Sequence, residues 1–119
     1  MAKKPRTRCP IAYSLDLFGD RWSLVIVRDM LMGKKRFGEF LESSERITTN
    51  VLTDRLSQLE ADGLIEKTAY QTNPVRFEYG LTDNGRSLLP VLQALCRWAG
   101  RHFPSVGRAP TKFMKLGLD

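Results

Sequence analysis

The stretch ITTNVLTDRLSQLEADGLIEK, residues 47–67, carries the strongest structural signal in this chain of 119 residues. It contains an i, i+4, i+7 apolar stripe, which predicts an amphipathic helix with one buried face. The stripe consists of Leu52, Leu56 and Leu59. Thr48 or Thr49 can cap the start of this helix, and Gly63 is typical of the residue with positive φ that ends one. The stretch therefore predicts a complete helix with defined ends.

Three shorter helices are predicted upstream. Residues 11–18 place apolar side chains at helical spacing after Pro10, a residue that suits the first turn of a helix. Residues 22–32 are almost wholly apolar, which is typical of a core helix. Residues 37–41 form a brief amphipathic helix that gives way to a polar stretch. This last helix and the one that follows it therefore make a helix-turn-helix unit.

The pattern changes after the helix-turn-helix unit. Residues 64–71 and 75–81 contain β-branched and aromatic residues in partial alternation, which predicts a β-hairpin. A last helix is predicted from a Thr82 cap to about residue 101. Pro90 lies inside that helix and predicts a kink or a change of direction. The apolar seam of the helix consists of Leu88, Leu92, Leu95 and Ala99, widened by Leu89, Val91 and Trp98.

Basic residues are concentrated at the two ends of the chain. The net charge of +6 divides into +4 over residues 1–8, +3 over residues 101–119 and −1 between them. Basic tails either bind phosphate or remain solvated ends, and both interpretations stay open. We predict three parts: a basic arm at residues 1–8, one domain at 9–103, and a tail at 104–119 that is mobile or docks on another surface.

The composition disfavours several classes of protein. Charge interrupts every long apolar run and no secretory signal is recognised, so we expect a cytoplasmic protein with no membrane partner. Two cysteines are too few for a disulfide framework. The single histidine, His102, has no cysteine or carboxylate at metal-ligand spacing, and no phosphate loop or activated serine occurs. We therefore predict no enzymatic activity, no catalytic residues, no metal and no cofactor.

The order of three helices, a hairpin and a long apolar-seamed helix is that of a winged helix-turn-helix domain. The chain resembles the HxlR family of bacterial regulators over residues 9–103. The resemblance rests on Cys9-Pro10, GDRWSLVIVRDMLMGKKRFGEF (19–40), the stretch quoted first, VRFEYGLTDNGRSLLPVL (75–92) and Trp98. It implies a fold that is mainly α with a small β-hairpin, in which extra N- and C-terminal helices serve dimerisation.

The resemblance further implies a transcriptional regulator, as a homodimeric repressor that binds a near-palindromic operator in double-stranded DNA. In such a dimer, the helix at residues 82–101 packs with the first helix of the other subunit. The sequence supports this independently, because the apolar stripe of that helix is broader than one small domain covers. The alternative is that a single chain buries both faces. A winged helix that binds protein instead of DNA is the alternative function.

The helix at residues 48–62 has a polar face opposite its leucines, at 100° per residue. Asn50 can pair with adenine, Thr53 can touch a thymine methyl group, and Asp54 can accept a hydrogen bond from cytosine or turn towards Arg55. An ordinary solvated helix face is the alternative. The predicted face consists of Thr48 and Thr49 at the helix start, where phosphates are met, followed by Asn50, Thr53, Asp54, Ser57 and Ala61.

Basic side chains flank this helix and are predicted to contact phosphates, which would make the affinity for DNA depend on salt. Arg76, next to the hairpin turn, is the preferred contact from the hairpin. Its alternative role is a salt bridge with Glu78 or Glu66. The other predicted contacts are Lys35, Arg36, Arg55 and Lys67.

Cys9 is a candidate redox sensor, because the resemblance implies that a cysteine at this position serves as a thiol switch in some family members. The adjacent Arg8 and the helix start both favour the thiolate. The alternative is a structural thiol at the dimer interface. Cys96 is predicted to be buried and inert on the last helix. The small-molecule or oxidant effector is not identified by the sequence.

Overall fold

Residues 5–117 are described by a computed structural model, so Lys3 and Lys4 of the predicted basic arm lie outside the described residues. Helices and strands follow one another in the predicted order up to the end of the hairpin. The elements are α1 (Pro10–Phe18), α2 (Ser23–Leu31), α3 (Phe37–Leu41), α4 (Thr49–Ala61), β1 (Ile65–Thr72), β2 (Val75–Leu81), α5 (Asp83–Arg86), α6 (Leu89–His102) and α7 (Thr111–Met114), with a 3₁₀ turn at Pro104–Val106.

The core is built around α4, whose leucine stripe is buried as predicted. Leu52 and Leu59 are fully covered and Leu56 is 3% exposed. Around them pack apolar side chains of α2, α3 and the base of the hairpin. Phe40 of α3 meets Tyr79 of β2 edge to face, with ring centroids 6.4 Å apart. These contacts fix the helix-turn-helix unit against the hairpin.

Both ends of α4 are closed by specific hydrogen bonds. At its start the Thr48 hydroxyl accepts from the backbone N–H of Val51 at 3.4 Å, which identifies Thr48 as the cap. At its end Gly63 has a φ of +77°, a conformation that glycine adopts without strain. Thr82 then donates its hydroxyl to the Gly63 carbonyl at 2.7 Å and its N–H to the Leu64 carbonyl at 3.1 Å. The exit of α4 is therefore joined to the end of β2, at the base of the hairpin.

The hairpin pairs β1 and β2 antiparallel, from Ile65 opposite Leu81 to Thr72 opposite Val75. The segment before α3 lies beside β2, because the N–H of Tyr79 donates to the Lys35 carbonyl at 2.6 Å. The strand register also shifts once, between residues 69 and 71. The hairpin is therefore attached to the helix-turn-helix unit on one side and free at its turn.

The prediction of one continuous helix at residues 82–101 is wrong. Thr82 does cap a helix, accepting from the N–H of Gly85 at 3.1 Å, but this α5 ends after one turn. A new helix, α6, begins at Leu89 with Pro90 in its first turn. Proline has no N–H to donate and its ring crowds the preceding turn, so it is accommodated at a helix start and not in the interior. The helix is therefore interrupted at Ser87 and Leu88, just before Pro90.

The C-terminal tail packs on α6. Phe113 is 2% exposed and belongs to the same core as the leucines of α4. The Gln93 side-chain amide donates to the carbonyls of Phe113, Met114 and Leu116 at 3.1–3.3 Å. The three-part division at residues 8 and 103 stays a prediction. No helix within residues 5–117 is both long enough and apolar enough to span a membrane.

Candidate nucleic-acid interface

The polar face of α4 is open to solvent. Its buried stripe lies on the opposite side of the helix, so the two faces are separated as the 100° rotation per residue predicts. Arg55 lies at the boundary, with 22% of its side chain exposed. The exposed residues of this face are Thr48, Thr49, Asn50, Thr53, Asp54, Ser57 and Ala61.

Arg55 ties α4 to the start of α2. Its guanidinium lies 3.3 Å from the Asp20 carboxylate, which itself accepts from the backbone N–H groups of Trp22 and Ser23 at 2.9 Å. Partial burial raises the pKa of Asp20, but the hydrogen bonds from Ser23 and Trp22 and the charge of Arg55 outweigh it and the net pKa is lowered. Arg55 therefore positions α4 within the protein, in addition to its predicted phosphate role.

The Asp54 carboxylate lies against Arg55, at 2.8 Å from Nη2 and 3.2 Å from Nε. It is nevertheless 71% exposed. Of the two predicted orientations, towards a cytosine or towards Arg55, the unbound protein has the second. Arg55 is shared between Asp54 and Asp20, so these three side chains together keep a net negative charge.

Lys35 and Arg36 meet at Glu78 on β2. The Glu78 carboxylate lies 3.6 Å from the Lys35 ammonium and 3.0 Å from Arg36 Nε, and the Arg36 guanidinium sits 3.9 Å above the ring of Tyr70. Two cations share this carboxylate, but the Glu39 carboxylate accepts from the backbone N–H groups of Lys35 and Arg36 at 2.9 and 2.8 Å and offsets the remaining positive charge. Both basic side chains remain at least half exposed. They can therefore face a phosphate while anchored to the hairpin.

Arg76 is exposed near the hairpin turn and forms no ion pair with any residue between 5 and 117. The salt bridge to Glu78 that was its alternative role is made instead by Lys35 and Arg36. Lys67 on β1 lies 4.6 Å from the ring of Phe77. The hairpin thus presents two exposed basic side chains, Lys67 and Arg76.

Arg46 is a candidate phosphate contact that sequence reasoning missed. It is exposed, lies two residues before the Thr48 cap, and adopts a φ of +61°, which is uncommon for a residue with a side chain. Its N–H donates to the Ser43 carbonyl at 3.0 Å, closing the turn between α3 and α4. A basic residue two positions before the predicted cap of α4 was the available signal, but the stretch had been assigned only as a polar connection.

The turn before α4 is held by Arg28. Its guanidinium donates to Asp29 at 2.8 Å, to Glu45 at 2.6 Å and to Ser43 at 3.3 Å. Asp29 is 5% exposed and Ser43 is 7% exposed. Hydrogen bonds from Arg28 and Ser44 lower the pKa of Glu45 to about 2, well below the ordinary value of 4.5. The network therefore stabilises the turn when Glu45 is ionised.

Replacing Glu45 by glutamine should lower the free energy of unfolding at pH 7, because the ion pair with Arg28 is lost. The expected loss is only about 1 kcal/mol, since the Glu45 side chain is 37% exposed and solvent screens the pair. Since the folded pKa is depressed, the stabilisation is complete above pH 4.5 and is lost as the pH falls towards 2. Urea unfolding of both proteins from pH 7 to pH 2.5 measures the difference. Glu42→Gln, at an exposed carboxylate with no side-chain hydrogen bond among the described residues, is the control. A difference that does not shrink with acid would contradict the assignment.

Cys9 is exposed and stands immediately before α1, where its N–H donates to the Thr7 hydroxyl at 3.1 Å. Nearby, Arg6 of the predicted basic arm pairs with Asp16 of α1 at 2.8 Å, so part of the charge of the arm is neutralised. Cys96 is half-buried and lines a cleft, in contrast to the buried position predicted for it. Within residues 5–117 no three His, Cys, Asp or Glu side chains are grouped to hold a metal ion.

Large apolar side chains on α1 and α6 are left uncovered. No residue of α1 is buried, and Ile11 and Leu15 are 73% and 59% exposed. On α6, Leu95 is 48% exposed and Trp98 is 58% exposed, with Val91 one turn earlier at 41%. A single chain does not bury this surface.

Comparison with known proteins gives consistent matches. Residues 17–106 match the family model described as HxlR-like helix-turn-helix. The HTH-type transcriptional regulator YybR of Bacillus subtilis strain 168 is 39% identical over 90 residues, which cover 76% of this chain and 72% of YybR.

Two solved structures are similar over most of this chain. The redox regulator HypR in its reduced form superposes with a TM-score of 0.73 at 35% identity, covering 83% of this chain and all of HypR. The reduced form of the regulator YodB from B. subtilis superposes with a TM-score of 0.69 at 31% identity, covering 83% of this chain and 98% of YodB. The predicted fold class, a winged helix-turn-helix with a small β-hairpin, is confirmed by these similarities.

Proposed function

Because this chain belongs to the HxlR-like helix-turn-helix family of DNA-binding transcriptional regulators, which are not enzymes, we propose that it acts as a homodimer that binds a near-palindromic operator and represses transcription. The observation that carries the proposal is the exposed polar face of α4, which is flanked on the hairpin side by cations. Such a face fits the major groove, and the cations fit the adjoining phosphates.

Within the groove, Asn50 and Thr53 read base edges. An asparagine amide makes two hydrogen bonds with adenine, and a threonine methyl group packs on that of thymine. Asp54 accepts from a cytosine amino group if its carboxylate rotates away from Arg55. The Ser57 hydroxyl can donate a hydrogen bond to a base edge or accept one from it. The phosphate contacts come from the helix start and the basic side chains: Thr48, Thr49, Lys35, Arg36, Arg46, Arg55 and Arg76.

The dimer forms through α1 and α6. The uncovered apolar side chains of both helices would become buried if α6 packed against α1 of a second copy, with the two copies related by a two-fold axis. The two α4 helices would then stand about 34 Å apart and address successive major grooves on one side of the duplex. This symmetry is what makes a near-palindromic operator the expected site.

Asn50→Ala should weaken binding to the operator about 100-fold, about tenfold from each half-site, and remove the preference for adenine at the contacted position. The reason is that the amide supplies two hydrogen bonds that alanine cannot replace. Fluorescence anisotropy with labelled DNA from the promoter next to the protein's own gene, after footprinting of the site, measures both quantities.

Arg76→Gln is the matched comparison, because a phosphate contact carries no sequence information. It should weaken binding to all sequences alike and reduce the dependence of log affinity on log salt by about two units, one from each copy in the dimer. If neither variant changes binding, or if the wild-type protein shows no salt-sensitive, sequence-preferring binding, a protein partner for the winged helix is favoured instead.

We propose that oxidation of the Cys9 thiol regulates DNA binding. The thiol is exposed. Of the similar structures, HypR is described as a redox regulator and YodB is described in a reduced form. Oxidation at the start of α1 would act on the same helix that is proposed to contact the second copy. A change in the dimer would then alter the spacing of the two α4 helices.

Treatment with diamide and glutathione joins an exposed thiol to glutathione in a mixed disulfide, while diamide is reduced to its hydrazine. This treatment should lower the operator affinity of the wild-type protein about tenfold, a coupling typical of regulated sites. Cys9→Ser should bind DNA normally and lose this response, whereas Cys96→Ser should keep it. Anisotropy before and after oxidation, followed by reduction with dithiothreitol, measures the effect. An unchanged response in Cys9→Ser would remove the sensing role.

A further inference from the structure

A cleft of about 480 Å³ lies between α6 and the tail that docks on it. Its size is within the range of small-molecule sites. Its lining includes Cys96, Arg97, Gly100 and Arg101 from α6, and Arg108 and Met114 from the tail. None of its lining residues is acidic.

The three arginines are exposed and form no ion pair with any residue in the described part of the chain. Arg97 and Arg101 are also one turn apart on the same helix, where like charges disfavour each other. The helix dipole accounts for a basic residue in the last turn, such as Arg101, but not for Arg97 or Arg108. An anion in the cleft would offset part of this positive charge.

Gly100 forms part of the same cleft. Glycine in the interior of a helix is less stable than alanine because it loses more backbone freedom on folding. At this position a Cβ would meet nothing within 4 Å, so packing does not require glycine. Its backbone is also ordinary helix, without a positive φ. The missing side chain therefore keeps the floor of the cleft open.

The cleft remains accessible in the proposed dimer. At 100° per residue, Gly100 lies roughly opposite the apolar seam of Val91, Leu95 and Trp98. The wall beside the arginines is apolar and comes from Met114 and the half-buried Cys96. The site thus combines a positive rim with an apolar interior.

We propose that this cleft binds a small amphipathic carboxylate, whose charged group lies among Arg97, Arg101 and Arg108 and whose apolar body lies over Gly100 between Cys96 and Met114. A guanidinium pairs with a carboxylate through two parallel hydrogen bonds, which favours a carboxylate over a neutral group. The proposal is independent of DNA binding, because the cleft is formed by α6 and the tail.

Isothermal titration of the full chain with 2-naphthoate tests the proposal, with uncharged 2-naphthalenemethanol as the matched probe. We expect 2-naphthoate to bind at least about tenfold more tightly than the alcohol. The double variant Arg97→Gln, Arg101→Gln should lose that preference, and Gly100→Leu should lose binding of both probes. Arg76→Gln should bind 2-naphthoate as the wild type does, which excludes attachment to the DNA-binding face.

Labelling of Cys96 locates the ligand. In a Cys9→Ser background Cys96 is the one remaining thiol of the two in the sequence, and 2-naphthoate should slow its reaction with a disulfide reagent. The double arginine variant should show no such protection. The proposal is overturned if 2-naphthoate does not bind, if the double variant binds it as tightly as the wild type, or if Cys96 reacts at the same rate with and without it.

Discussion

Replacing Leu95 by glutamate should convert the protein from a dimer to a monomer and lower its affinity for the operator on the order of 1,000-fold. Leu95 is central in the uncovered seam of α6, between Val91 and Trp98, and is 48% exposed in the single chain. A glutamate there would have to lose its hydration without a cationic partner when a second copy docks. The cost falls on association and not on folding.

The loss of DNA affinity follows from the loss of the second recognition helix. A dimer holds its second α4 next to the second half-site once the first is bound, and this effective concentration is what a monomer lacks. Sedimentation velocity measures the association state, and anisotropy with the complete operator and with one half-site measures affinity. The half-site affinity should be almost unchanged.

Leu95→Met is the matched control, because it keeps the side chain apolar and close in volume. It should remain dimeric and bind the operator normally. Thermal unfolding of Leu95→Glu should be close to that of the wild-type chain measured as a monomer, since Leu95 is not part of the core. A wild-type protein that is monomeric at micromolar concentration, or a glutamate variant that stays dimeric, would refute the α1–α6 interface.

Gly85→Ala should lower the free energy of unfolding by about 3 kcal/mol, the upper part of the range for overpacking. A Cβ at this position would lie 2.0 Å from the Leu64 carbonyl oxygen and 3.0 Å from Leu81 Cδ2. The nearer atom belongs to the backbone and already accepts the N–H of Thr82, so it cannot move away as a flexible side chain would. The hairpin and α5 would have to separate.

Gly38→Ala is the control, because Gly38 lies in α3 and a Cβ there would meet nothing within 4 Å. That variant should be neutral or up to about 1 kcal/mol more stable, as alanine favours a helix over glycine. Urea unfolding followed by circular dichroism measures both. Equal stabilities of the two variants would show that the close approach of Gly85 to Leu64 is relieved at little cost.

Features determined by local pattern were predictable from the sequence. The leucine stripe of α4 predicted its buried face, and Thr48 and Gly63 predicted its two ends. Both features were accessible because periodicity and capping depend on neighbours within a few residues. The exposed face of α4 follows from the same geometry. The break between α5 and α6 was only half predicted, since a proline indicates a change of direction without deciding whether a helix bends or restarts.

Features that depend on distant residues were not predictable in this way. Asp20 meets Arg55, and Glu78 meets Arg36, across 35 and 42 positions of sequence. Local pattern cannot decide which carboxylate pairs with which cation, so the predicted phosphate contacts were stated without their partners within the protein. Docking of the tail was one of the two predicted alternatives, but Phe113 was not identified as its buried residue, because a short aromatic segment has no period.

The double attachment of Thr82 to Gly63 and Leu64 has a geometric consequence. It closes the hairpin at its base, so the strands can bend only towards the turn. The end of α4 stays fixed beside Thr82 and α5, which lead to α6. In a dimer built on α6, the distance and the relative orientation of the two α4 helices would be fixed. One base pair inserted between half-sites turns one of them by about 35° around the duplex axis. Two α4 helices held rigidly cannot follow that rotation. The operator would therefore tolerate substitutions in its centre more readily than changes in its length.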